Sequence, residues 1–342
     1  MKTFLKAAAI AALAGISLPS FALAQTQGGA IDVATIGEPP TLDPMTSTAD
    51  LVGIITQHMF ETLYTFDANW AVAPLLAADM PEISEDGTVY TIALREGVTF
   101  HDGSDMTAED VVASLERWLR IASRGMQTAE TVQSVEAVDD HTVQITLSGP
   151  YAPLLSLLSL NNSAAIVIPS EIAGEDVMED FVGTGPYQLA ERRPDQYIQL
   201  TRFDDYASRD EDANGYGGGR NQYLDEIRFV PVPDPNTRIE GAVAGQFDYV
   251  DSIAVEAYDR IASGNTEPVM LAPFGWPVFV MNTAEGVNSD IAVRKAIQAA
   301  LAPQDMLLAA FGSEDFFTAD GAMYPEGYVW HTEAGTEPYK PM

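Results

Sequence analysis

The chain has 342 residues, with 50 acidic against 17 basic side chains, a formal charge of −33 and no cysteine. Such a surface disfavours nucleic acid and anionic membranes, and the missing thiols exclude disulfides, thiolate catalysis and zinc–thiolate sites. The length suffices for a self-supporting core and for two domains.

Residues 1–24 read MKTFLKAAAIAALAGISLPSFALA. Lys2 and Lys6 precede an apolar run from Ala7 to Leu18, and Ala22-Leu23-Ala24 has the form of a cleavage site. That pattern predicts a secretory signal peptide, hence an exported mature chain starting near Gln25. With no cysteine after the signal, no lipid anchor is expected. Ile31–Ile36 alternates as a strand and is stopped by EPPTLDP, Glu38–Pro44, whose prolines forbid regular structure. Leu51, Ile54, Ile55, Met59 and Leu63 have helical spacing, and Val89, Ile92 and Leu94 suggest a strand.

Thr107 followed three residues later by Asp110 predicts a helix start, with Val111, Leu115, Trp118 and Leu119 on one face. Further strands are predicted around 143–147, 165–168, 187–189, 197–200, 227–232, 247–250 and 278–281. Helices are predicted around 153–160, from Asp234 with Pro235 at its first position to Gly245, and from Asp290 to Leu301. Residues 204–220, ending in GYGGGR, read as a long polar loop. Strands and helices intermix throughout, which argues an α/β architecture.

Motifs for chemistry are missing. There is no G-x-S-x-G, H-E-x-x-H, Walker A or helix-opening G-x-G-x-x-G, and the four histidines, His58, His101, His141 and His331, have no metal-ligand spacing. The densest polar cluster is His101-Asp102-Gly103 with Glu109 and Asp110. Asp-Gly is turn chemistry, and carboxylates in a helix's first turn are stabilising, so a structural role accounts for the cluster. No catalytic residue, metal or cofactor is expected.

The stretch DGTVYTIALREGVTFHDGSDMTAEDVV, Asp86–Val112, resembles the signature of the extracellular solute-binding proteins, family 5, of ATP-driven peptide and nickel importers. EPPTLDP, ETLYTFD, PLLA, GTGPY, RFDDY, GQFDYVD and FVMNT with VRKAIQAAL agree in order along the mature chain.

The resemblance implies a two-lobed periplasmic binding protein of type II with an extra inserted subdomain. By analogy, residues 25–48 with 183–267 form lobe I, residues 49–182 the inserted subdomain, and residues 268–342 an incomplete lobe II. It further implies a monomer without enzyme activity that captures a peptide or peptide-like solute and hands it to an inner-membrane permease. Binders of nickel chelate, opine or oligosaccharide in the same family are the alternative, and an exported hydrolase the competing class. Ligand-binding residues expected on this reading are Thr41 and Leu42, through backbone groups of the proline-fixed loop, and the aromatic Phe274 and Trp276.

Overall fold

The computed structural model describes residues 27–271, 275, 277–324, 326–334 and 336; the expected signal segment lies outside them. In chain order these residues carry β1 (Ala30–Thr35), α1 (Asp50–Thr56), β2 (Tyr64–Phe66), β3 (Val72–Pro74), β4 (Glu82–Ile83) and β5 (Val89–Ala93). Next come α2 (Ala108–Ile121), α3 (Ser123–Ala129), β6 (Val132–Asp139), β7 (Thr142–Leu147), α4 (Leu154–Leu157) and α5 (Ser170–Ala173). There follow β8 (Tyr187–Arg193), β9 (Tyr197–Arg202), β10 (Glu226–Pro231), α6 (Pro235–Ala244), β11 (Tyr249–Val250), α7 (Tyr258–Ala262), α8 (Ile291–Ala300) and α9 (Pro303–Phe311). The mixed α/β class is as the sequence implied.

One sheet runs β11-β1-β10-β9-β8. Strand β1 pairs in parallel with both β10 and β11, with Val33 opposite Phe229 on one side and Tyr249 on the other. Helix α6 makes the crossover between β10 and β11. Its start is fixed locally: Asp234 accepts a 2.7 Å bond from the Thr237 amide, and Pro235 takes the first turn. Gly245 ends it at φ 64°, a left-handed conformation that glycine adopts without strain.

The second sheet is antiparallel, in the order β4-β5-β7-β6, with Tyr90 opposite Ile145. Helix α2 packs against it. Asp110 accepts from both the amide and hydroxyl of Thr107 at 2.8 Å and from the Ser170 amide, so one carboxylate closes the helix start and anchors α5. Trp118 is fully buried and donates to the Ser163 carbonyl at 2.8 Å. At the α2–α3 corner a Cβ on Gly125 would lie 1.9 Å from the Trp118 carbonyl oxygen, so glycine is required by close approach. One contiguous core joins the sheets, including Phe229, Ile198 and Leu200 from one and Ile92, Ile145 and Val143 from the other.

Some predicted elements differ. The helix expected over 51–63 ends at Thr56, and His58 lies in the turn beyond it. The His58 and Met59 carbonyls instead accept from the amides of Tyr187 and Gly185, so tertiary pairing wins over local spacing. The helix expected over 153–160 is the single turn α4. Residues 165–168 are buried but contribute only an isolated bridge, Thr62 to Ile166, because no long partner strand runs beside them. Residues 278–281 form no strand; 278–280 are exposed and Met281 half-buried, and no described strand lies alongside to take up their backbone groups. The packing also changes toward the C-terminal part: α8 and α9 bury no residue fully, whereas α2 buries seven.

Candidate functional site

Parallel strands end on a common edge, and in open α/β sheets the crevice outside their carboxyl ends is where ligands bind. Here that edge gathers three chain-distant segments. Strand β1 runs out into Ile36, Gly37 and Glu38; β10 into Val232; β11 into Asp251 and Ser252. Val232 and Asp251 donate their amides to the carbonyls of Thr35 and Ala34, each at 2.9 Å, which locks the segments side by side. The buried Thr35 hydroxyl sits beneath them, 3.0 Å from the Gly37 carbonyl and 3.3 Å from that of Val230.

The loop after β1 then crosses the edge toward β8. Arg192 of β8 donates through Nε and Nη2 to Glu38 Oε1 at 3.2 and 2.9 Å, and through Nη2 to the Pro39 carbonyl. Glu38 Oε2 is buried and has no hydrogen-bond partner among the described residues. It is an acceptor in the loop that crosses the rim. Ile36 is 46% exposed and offers an apolar surface beside it. Arg238 of α6 lies beneath, only 6% exposed; its guanidinium donates to the carbonyls of Val232 and Pro233 on one side and Ser252 on the other. The rim therefore combines an apolar side chain, an unpartnered carboxylate oxygen and fixed backbone, which suits a solute carrying a donor next to an apolar group.

Of the residues expected from sequence, Thr41 is half-buried and its hydroxyl accepts from the Asp43 amide at 3.0 Å. The Leu42 side chain is fully buried in the core. Phe274 and Trp276 lie outside the described residues. The sequence reading missed Glu38 as an individual group, together with Arg192, Arg238 and Ser252. The strand-end rule would have pointed to them had the pairing of β1 with β10 and β11 been visible.

The His101 cluster proves to be a brace. Gly183 donates its amide to Nδ1 at 3.2 Å, which leaves the proton on Nε2, 2.9 Å from the Gly185 carbonyl. Burial lowers the His101 pKa, partly opposed by the Gly185 carbonyl. Both ring nitrogens are thus spent on the GTGPY turn, while Asp102 accepts from the amide and hydroxyl of Ser104. No group of three potential metal ligands converges among the described residues, and none of the described helices is long and apolar enough to cross a membrane.

Residues 71–341 match the bacterial extracellular solute-binding proteins, family 5 (Middle). The chain belongs to this family. Its members are solute-binding transport proteins, not enzymes. A probable peptide ABC transporter periplasmic-binding protein of Sinorhizobium fredii is 25% identical over 98% of this chain and 64% of its own. The glutathione-binding protein of Salmonella typhi is 27% identical over 88% of this chain and 57% of its own. In fold, the chain resembles the Helicobacter pylori periplasmic binding protein DppA solved with the peptide STSA, with a TM-score of 0.74, 24% identity, and 92% and 64% of the two chains covered. The family chain described here therefore spans about three-fifths of the length of these relatives.

Proposed function

We propose that this chain is the solute-capturing component of an ATP-driven importer and takes a peptide or peptide-like solute. The observation that carries the reading is the rim at the carboxyl ends of β1, β10 and β11, where Glu38 Oε2 is buried and, among the described residues, unpartnered. A peptide's ammonium or amide donor satisfies that oxygen, and Ile36 packs on the adjacent side chain. The relatives' binding of peptide and glutathione supports the same class.

The expected domain plan fits this role. Lobe I, residues 25–48 with 183–267, presents the rim, the subdomain 49–182 stiffens it, and lobe II begins near residue 268. Phe274 and Trp276 follow that boundary, and with the backbone of Thr41 and Leu42 they are proposed to line the solute. Solute bound to both lobes favours the closed form by the difference in contacts it makes there. The closed monomer then docks on an inner-membrane permease. Export through residues 1–24 places it in the periplasm.

The test is native mass spectrometry of the protein recovered from the periplasm, followed by sequencing of any released ligand. A short peptide or peptide conjugate supports the reading. A metal chelate or a sugar acid as the released species would replace it with the alternative solute class.

A further inference from the structure

The tip of the β2–β3 hairpin has no part in the strand-end rim, yet it is held from two sides. Asp67 Oδ1 accepts from the amides of Asn69 and Ala71 at 2.8 and 2.9 Å, which shapes the turn that carries Trp70. From outside the hairpin, Asn214 accepts from the Ala68 amide at 3.1 Å, and the Tyr216 amide donates to the Phe66 carbonyl at 2.9 Å. The rings of Phe66 and Tyr216 flank Trp70, with centroids at 5.9 and 6.3 Å. A third ring comes from far along the chain: Tyr328 stacks on the indole at 13°, with 5.8 Å between centroids.

Tyr328 is fixed on its own side as well. The His331 amide donates to the Tyr328 carbonyl at 3.0 Å, and His331 Nδ1 lies 2.7 Å from the Tyr324 carbonyl. The Tyr324 ring stands 6.4 Å from Tyr328 and 5.4 Å from Trp330. Tyr328 is half-buried while Gly327 and Val329 beside it are exposed, so this one residue of the turn is directed onto the hairpin. The segment around it packs loosely elsewhere, since α8 and α9 bury no residue fully. Parts with few buried contacts separate from a fold at the lowest free energy, so each contact they do make weighs more. A second ring contact, Tyr258 with Phe316 at 5.3 Å, starts from α7, close along the chain to the lobe boundary near residue 268. Trp70 belongs instead to the inserted subdomain. Rotation of the lobes about that boundary must therefore make or break its stack.

We propose that the Trp70–Tyr328 stack is a clasp between the inserted subdomain and the C-terminal part, closed when the lobes close and broken when they open. The inference rests on the two-lobe reading above and adds to it a contact that favours the closed form before any solute arrives. One aromatic stack shifts the ratio of closed to open chains by roughly two- to tenfold. A bias of that size leaves both forms populated, so solute contacts still decide the outcome.

The chain has no cysteine, so spin labels attach only where cysteines are placed. Two exposed pairs are labelled in the solute-free chain: Asn69→Cys with Glu326→Cys across the stack, and Gln196→Cys with Lys295→Cys between the lobes away from it. Pulsed dipolar spectroscopy reads the distance distribution of each. Tyr328→Ala is expected to move population from short to long distance in both pairs, by roughly two- to tenfold in their ratio, while Tyr328→Phe keeps the parent distribution. Trp70→Leu should give the same shift, and joining it to Tyr328→Ala should add little, because both remove one contact. Should Tyr328→Ala fail to fold, Trp70→Leu alone carries the test. Distributions that ignore both substitutions at 69–326 overturn the clasp. So do two populations at 196–295 that ignore them, an outcome that leaves the two-lobe reading standing. A single unchanging distance at 196–295, with the 69–326 pair separated in the variants, overturns the two-lobe reading and the clasp's part in it together.

Discussion

Arg117 Nη2 lies 2.7 Å from Asp43 Oδ2, and both side chains are buried. The same guanidinium donates to the carbonyls of Glu175 and Asp176. Asp43 closes the proline loop that begins at Glu38, so this pair ties the loop of the candidate rim to α2. Removing one partner strands a charge. Arg117→Met should therefore destabilise the chain by about 3–5 kcal/mol, whereas Arg117→Met with Asp43→Leu should recover most of that loss. Denaturant unfolding of the single and double variants measures both.

His58 sits between the rings of Tyr187 and Phe229, with centroids at 6.2 and 5.8 Å. Burial, assisted by the nearby Arg220 charge, lowers its pKa to about 4. A depressed base is neutral in the fold and protonated when unfolded, so the unfolded chain binds the extra proton between these values. Its contribution is complete above pH ~6.5 and is lost as pH falls toward about 4, a loss of roughly 2–3 kcal/mol. His58→Gln should flatten that part of the stability profile. An unchanged profile between pH 7 and 4.5 in the variant would place the acid sensitivity elsewhere.

His101 is predicted to matter for folding and not for the solute. Its two backbone bonds join the FHDG turn to Gly183 and Gly185. His101→Ala should cost about 1–3 kcal/mol by leaving the buried Gly183 amide and Gly185 carbonyl unpaired. Solute affinity, measured calorimetrically below the melting range, should stay within twofold or so of the parent. A larger loss of affinity would return the cluster to the functional site.

Features written in adjacent residues were legible. Thr107 with Asp110, Asp234 with Pro235 and Gly245, and the Asp102-Gly103 turn each sit where local chemistry puts them. Features made by distant residues were not. Nothing near Val33 announces that Phe229 and Tyr249 flank it. The candidate rim depends on that pairing, so the sequence alone singles out neither Arg192 nor Arg238. The family motif could be matched without the topology, which is why the fold class was readable when the candidate rim was not.

Arg238 gives the candidate rim its sharpest test. It joins the exit of β10 to the exit of β11 through Val232, Pro233 and Ser252, and Ser252 is held at φ 55°. A serine there relaxes unless its carbonyl is fixed. Arg238→Met keeps the apolar stem and removes all three bonds. Amide hydrogen exchange at Asp251, whose N–H bonds the Ala34 carbonyl, should speed up in the variant, as should exchange at Val232. Exchange in β6 and β7, on the other sheet, should hold its rate. Faster exchange everywhere would mean that Arg238 supports the whole fold, and unchanged exchange at Asp251 would mean that the strand pairing holds the rim without it.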